Sequence, residues 1–143
     1  MSYNNLAICS ASLLIVLDKV ENLDLSKALL IYPVIMHSEM LTFLSKKNTK
    51  KRKLNSLILT HPSFFINFDD RFNDSLIITL NSIQYLIASN QIIFDKKLMI
   101  NREININEKF GERILLIKKA SDKIIYLLDH PIEELYLNLR IKL

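Results

Sequence analysis

Residues 108–129, EKFGERILLIKKASDKIIYLLD, carry the clearest periodic signal in the chain. Phe110, Ile114, Ile117, Ser121, Ile124 and Leu128 recur at steps of three and four, which places them on one face of an α-helix. Lys118, Lys119, Asp122 and Lys123 fall mostly off that face, on the side a helix turns to water. Pro131 follows and starts a short helix to about Tyr136. Leu137, Leu139, Ile141 and Leu143 then alternate with polar residues, so 137–143 reads as a terminal strand.

Moving back along the chain, helical spacing dominates. Residues 4–19 form a first helix on Leu6, Cys9, Leu13, Val16 and Leu17, capped by Asn4 or Asn5, with a turn at 20–23. Residues 24–43 are ambiguous. Asp24 and Ser26 can cap, and Leu29, Leu30, Ile31, Val34 and Ile35 are apolar nearly all round, as in a buried helix. Pro33 should kink or split it near Ile31–Tyr32, with a second piece through His37, Met40, Leu41 and Leu44. A buried strand over 28–35 competes with that reading. Residues 45–53 form a polar, basic loop. A short helix at 54–60 is followed by another at 63–68 with Pro62 at its first position. Asn73 or Asp74 caps a longer helix over 75–89 with Leu76, Leu80, Ile83 and Ile87 on one face, and Asn90 stops it. The period then changes: 91–94 and 97–100 are short and apolar, with Asp95-Lys96 between them as the turn of a β-hairpin. Residues 101–107 read as a loop in which Ile104 and Ile106 could add a third edge strand.

The expected fold is therefore mainly α (α+β): one compact helical domain over 1–143 with one small β-hairpin. Helix, hairpin, helix is also the order of winged-helix domains, and that architecture stays open. One glycine and three prolines in 143 residues argue against a many-stranded β fold. Half of the chain is hydrophobic, enough to bury a core without disulfides or metals. No apolar run approaches the roughly 20 residues that span a bilayer, and Met1–Asn5 lacks the basic region of a signal peptide. The chain reads as a soluble, cytoplasmic protein.

Net charge is +4, and Lys46, Lys47, Lys50, Lys51, Arg52 and Lys53 place six positives in eight residues, so the remainder carries −2. The basic character is one patch. It reads either as a solvated loop or as a contact for DNA phosphates or an acidic partner. No aromatic interrupts it, so base stacking is not indicated and any DNA contact would be independent of sequence.

Catalytic patterns are missing. His37, His61 and His130 pair with no acid, cysteine or second histidine at a metal-helix spacing. Each reads as structural or superficial. Cys9 reads as a buried packing residue. A single glycine excludes a Walker A loop or a GxGxxG turn, so no cofactor is expected. Asp69-Asp70 and Glu133-Glu134 are adjacent pairs that do not converge on one site. The chain is rich in Ile, Leu and Phe, with Phe64-Phe65, Tyr85 and Tyr136 as candidates for an exposed patch, core packing being the plainer reading.

Tyr32-Pro33-Val34-Ile35-Met36-His37 closes an apolar run, the polar segment 46–53 follows, and Lys118-Lys119-Ala120 leads an apolar helix and an apolar tail. In this order and spacing the chain resembles, over nearly its whole length, the middle components of bacterial three-component ABC systems (ABC-3C), which include Lamassu-type antiphage defence. The family has Leu-Pro-x-x-x-His where Pro33 and His37 match and Tyr32 replaces the leucine. Lys118, Lys119 and Ala120 match its Lys-Lys-Ala. The aromatic pair usual in the last helix is replaced by Ile124-Ile125-Tyr126, and Asn138-Leu139-Arg140 is a looser version of its Leu-Gly-Val-Arg tail. The resemblance implies a non-enzymatic adaptor bound to an SMC-like coiled-coil ABC ATPase and to an effector subunit, often a nuclease. It implies contact with DNA through the complex, and it carries over no catalytic residue. The other expectation is a free-standing winged-helix-like DNA-binding protein.

Overall fold

The structure is a computed structural model that describes residues 3–103, 106 and 111–142. Its helices are α1 (Tyr3–Asp18), α2 (Leu25–Ile35), α3 (Ser38–Ser45), α4 (Leu54–Thr60), α5 (Phe68–Ala88), α6 (Glu112–Leu127) and α7 (Ile132–Asn138), with a 3-10 turn at Pro62–Phe65. Two strands, β1 (Ile92–Asp95) and β2 (Lys97–Ile100), pair antiparallel with Ile92 opposite Ile100 and Asp95 opposite Lys97. The protein is mainly α with a small hairpin, as expected.

The core is built around α1. Every residue from Ser12 to Leu17 is buried, because α1 packs against α5, α6, α2 and β2 at once. A helix with no free side needs apolar or small residues all round. Where α1 meets α5 small side chains touch: Cys9 on α1 lies against Thr79 and Ser82 on α5, and Ser12 and Ser75 are likewise small and buried in these helices. Ser12 Oγ donates to the Ile8 carbonyl and Ser75 Oγ to that of Phe72, so these hydroxyls are satisfied within their own helices.

Residues 28–35 lie within α2, which overturns the strand alternative. The break expected near Ile31–Tyr32 falls instead at Met36-His37, and α2 and α3 meet there at 99°. The helix runs through Pro33, and the Met36 N–H still reaches the Tyr32 carbonyl. Cap chemistry places the break: Arg113 on α6 donates to the Ile35 carbonyl, and His37 Nδ1 accepts from the Met40 N–H at 3.1 Å to start α3.

Helix α5 begins seven residues before the expected Ser75, so Asn73 and Asp74 lie inside it and do not cap it. Asn67, left-handed at φ 58°, precedes the first turn. Phe68 and Phe72, four apart and buried, pull that turn onto the core, and Asp69 and Asp70 complement the helix dipole. Its buried face is Phe68, Phe72, Ser75, Ile78, Thr79, Ser82, Ile83 and Leu86. Of the expected face only Ile83 is fully buried; Leu80 and Ile87 are exposed and Leu76 is half-buried.

The segment after Pro62 is a single 3-10 turn, shorter than the helix expected over 63–68, with Pro62 at its start. The hairpin forms where expected, turning at Lys96 (φ 64°). Leu98 extends it by exchanging both backbone hydrogen bonds with Leu23, at 2.9 and 2.8 Å. The proposed third strand falls mostly outside the described residues; Ile106 is described, is not in a strand, and is partly buried against the core. Helix α6 starts at Glu112 after Gly111 (φ 112°); the expected start at Glu108 and the stripe residue Phe110 also lie outside them. Ile114, Ile117, Ser121, Ile124 and Leu128 of the stripe are buried, joined by Ala120 and Leu127.

The terminal strand is corrected. Helix α7 continues to Asn138, with Leu135 and Leu139, four apart, buried. Arg140 then adopts φ 58°. Its N–H bonds the Leu137 carbonyl and the Ile141 N–H bonds that of Tyr136, a Schellman closure that ends the helix. Asn90 ends α5 the same way, with Gln91 N–H on the Leu86 carbonyl. Tyr136 ties α7 down: its hydroxyl donates to the Ser26 carbonyl at 2.7 Å, its ring meets Phe72 edge-on, and burial pushes its pKa up to about 12.

Among the described residues no single helix is long and apolar enough to cross a membrane. Helices α2 and α3 pass together on length and composition, but they are sharply bent and contribute much of the core.

Candidate functional site

The basic run forms the connection between α3 and α4, and the structure divides it in two. Arg52 and Lys53 are anchored. The Arg52 guanidinium lies over the Phe43 ring and reaches Thr60 Oγ1 at 3.4 Å. Lys53 Nζ sits 4.3 Å from the centre of the Tyr126 ring and 3.2 Å from the Asp129 carboxylate. That hydrogen bond holds the Asp129 carboxyl below the usual range. Lys46, Lys47, Lys50 and Lys51 are exposed, and their ammonium groups have no partner among the described residues. Lys123 on α6 donates to the Lys46 carbonyl and fixes one end of the loop. The result is a loop pinned at both ends with four free cations between. A pinned basic loop loses less conformational freedom on meeting an anionic surface than a floppy one does.

The other marked positions are structural. Pro33 is buried in the last turn of α2. His37 is the N-cap of α3, and burial, with Arg71 nearby, holds its pKa below the ordinary histidine value. An accepting Nδ1 must be unprotonated, so geometry and pKa agree. Lys118 is half-buried and donates to the Ile106 carbonyl. Lys119 is exposed, and Ala120 is fully buried against the core. The motif Lys118-Lys119-Ala120 is thus one loop anchor, one solvated charge and one packing residue.

No group of His, Cys, Asp or Glu suited to a metal ion occurs among the described residues. Burial pushes the Cys9 thiol up, away from the thiolate a nucleophile needs. His61 stacks on Phe64 and tilts against Phe43. His130 lies 3.7 Å from Glu134, one turn on. His37 and His61 lie against the same Phe64 ring, at 5.5 and 4.9 Å between ring centres, while His130 makes its own local contact.

The apolar surface is not where the aromatic residues suggested. Phe64 is buried, Phe65 and Tyr136 are half-buried, and of the four only Tyr85 is exposed. Among the described residues the most exposed large apolar side chains are Leu59 (83 %), Leu137 (76 %), Ile77 (66 %) and Ile66 (65 %). A groove of about 350 Å³ lies between the Pro62–Phe65 turn and the end of α7, lined by Ile58, Pro62, Phe65, Ile66, Leu139 and Arg140 among others. Asn138 Nδ2 donates to Asn55 Oδ1 across from α7 to α4. Leu59 and Leu137 each adjoin a lining residue. The phase of α4 carried the signal for Leu59: Leu54, Leu57 and Ile58 share one side of the helix and Leu59 points away.

No curated protein and no solved structure matches the chain. A family model does match, over residues 5–143, and it describes the Middle Component 3 of ABC-three component (ABC-3C) systems. With nearly the whole sequence covered, this chain belongs to the Middle Component 3 family of the ABC-three component systems, and its partners are the other subunits of such a system.

Proposed function

We propose that the protein is a non-enzymatic, cytoplasmic adaptor that links an SMC-like coiled-coil ABC ATPase to a nuclease-type effector. It holds the effector inactive until the complex senses foreign DNA, as in Lamassu-type antiphage defence. Family membership over residues 5–143 is the observation that carries this reading. Two features of the chain support it. His37, His61 and Cys9 are spent on a helix cap, a ring contact and packing. Large aliphatic side chains stand exposed beside a groove, as on a subunit that works in company. The test is co-expression with its genomic neighbours and purification through one tagged partner. The adaptor should co-elute in fixed proportion and bury well over roughly 1,000 Å². Elution as a lone, monodisperse species would reject the reading.

A second reading concerns DNA. Lys46, Lys47, Lys50 and Lys51 are free cations on an anchored loop, and we propose that they meet DNA phosphates within the assembled complex. The hairpin is poorer in charge, since Lys97 already pairs with Asp24 at 3.8 Å. This favours the loop over a winged-helix wing as the contact. Replacing all four lysines by glutamine should flatten the salt dependence of DNA binding by the complex, by up to about 3–4 in log–log slope. An unchanged slope would remove the loop from the contact. Strong duplex binding by the isolated chain would favour the free-standing DNA-binding alternative.

A further inference from the structure

We infer that the outer face of α5 is the surface on which two copies of this chain meet, packed antiparallel about a two-fold axis level with Ser82. The inference goes beyond the adaptor reading and does not depend on it.

The solvent side of α5 carries Ile77, Leu80, Gln84 and Ile87, all exposed. Their steps of three, four and three are those of a coiled-coil seam, and they set the four side chains on one stripe opposite the buried face. Residues 75–94 contain no charged side chain, in a chain of which 24 % is charged. The face of a helix that meets only water is normally charged or polar. Aliphatic residues kept exposed where charge is missing mark the centre of a protein–protein contact. The stripe also lacks the Lys and Arg with which an amphipathic helix lies on an anionic membrane.

The spacing of the stripe identifies the occupant, because it is the same read in either direction. In a two-fold contact, residue i meets j wherever j meets i. With the axis level with Ser82, Ile77 faces Ile87 of the second copy and Leu80 faces Gln84 of the second copy, each pair occurring twice. Asn81 is also exposed. It comes within about 1.5 Å, along the helix axis, of Gln84 of the second copy, so the two amides can hydrogen-bond across the seam. A parallel pair is disfavoured by Asp70, which lies one heptad before Ile77 and is exposed. Parallel packing would set the two Asp70 carboxylates against each other, whereas antiparallel packing sends them to opposite ends. The exposed residues of this face offer on the order of 700 Å² per copy, just under the roughly 800 Å² that each partner gives to a standard interface. That area suits a reversible dimer that dissociates on dilution.

The experiment is sedimentation equilibrium of the full chain over about 1 to 500 µM, across which the mass should rise from one chain towards two. Ile77→Glu/Ile87→Glu sets acid against acid at both ends of the seam and should weaken dimerisation at least roughly tenfold. Ile77→Glu/Ile87→Lys removes the same apolar surface but puts opposite charges in register, and should dimerise at least about threefold more tightly than the doubly acidic variant. Both positions face solvent, so each variant should melt like the wild type in dilute solution. Ile77→Cys/Ile87→Cys should give a covalent dimer on mild oxidation with copper phenanthroline. Ile77→Cys alone should not, because the two copies of that residue lie about 15 Å apart along the seam, too far for a disulfide. The inference is overturned if the wild type stays monomeric throughout, or if the doubly acidic variant dimerises like the wild type. It is equally overturned if the mixed-charge variant does no better than the doubly acidic one, or if Ile77→Cys alone crosslinks. A monomeric wild type whose doubly acidic variant drops out of the co-expressed complex would assign the face to a different subunit, and leave the adaptor reading standing.

Discussion

Helix α5 mixes its chemistry on both sides: the buried side, mostly apolar, also holds hydroxyl residues, and the mostly polar outer side also holds aliphatic ones. The buried face holds three hydroxyl residues, Ser75, Thr79 and Ser82, between Phe72 and Leu86. The outer face holds Ile77, Leu80 and Ile87, all exposed. The hydroxyl face is inside because it is small. Cys9 on α1 meets it, with Sγ 3.8 Å from Thr79 Oγ1, and bulkier residues on both helices would hold the two apart. A buried hydroxyl costs little when it bonds its own helix carbonyl, as Ser75 does at 2.9 Å. At these three positions size outweighs polarity.

The sharpest way to break this comparison is to exchange polarity for volume on the buried face. Thr79→Leu is more hydrophobic than the residue it replaces and adds bulk where α1 and α5 touch. It should destabilise the protein by about 1–3 kcal/mol, through overpacking and loss of the Cys9 contact. Urea unfolding should show a lower midpoint at unchanged slope. A more stable variant would mean that the seam is loosely packed and that polarity was the cost all along.

The same contrast explains what was legible in the sequence. Elements governed by local chemistry were read closely. Leu54–Thr60 has the expected ends, the hairpin turns at Lys96, and Asn90 stops α5 by taking the left-handed angle. Elements governed by what they pack against were not. Residues 69–72 fall between two expected helices, yet Phe72 is buried and meets Tyr136 within α5. Residues 137–143 alternate like a strand in sequence, yet among the described residues no strand lies beside 137–142, and Leu135 and Leu139 are four apart. In the candidate site, the position of the basic loop could be read and its division could not. Lys53 is engaged by Asp129, 76 residues away, and the groove joins α4 to α7 in the same non-local way. The exposed aliphatic residues are hidden from a sequence reading because a leucine on the wrong side of a short helix looks like any other leucine.

His37 extends the comparison to a polar group whose protonation the fold controls. Its Nδ1 accepts the Met40 N–H at the break between α2 and α3, so the folded chain prefers the neutral ring, and burial lowers its pKa accordingly. The stabilisation from this cap is complete above the unfolded value of about 6.5. It drains away as pH falls through the lower folded value. His37→Asn keeps a capping acceptor that does not titrate. The variant should match the wild type near pH 7.5 and lose less stability between pH 7 and 5, by about 1 kcal/mol at most. Parallel pH profiles would show that the cap does not contribute.

The outer face of α5 supplies the smallest effect and the test that sharpens the comparison most. If Leu80 stood outside only because the core had no room for it, replacing it by serine should matter little to folding. It is 41 % exposed, so the change removes modest buried area and leaves no closed cavity. Leu80→Ser should alter stability by about 0.5 kcal/mol or less, most of that from the weaker helix propensity of serine. A loss as large as that of Thr79→Leu would mean that the aliphatic face is packed in the isolated chain, and the contrast between the two faces would fail. Near-neutrality would instead place the reason for an aliphatic α5 surface outside the fold of this one subunit, since folding would be indifferent to residues that water does not favour.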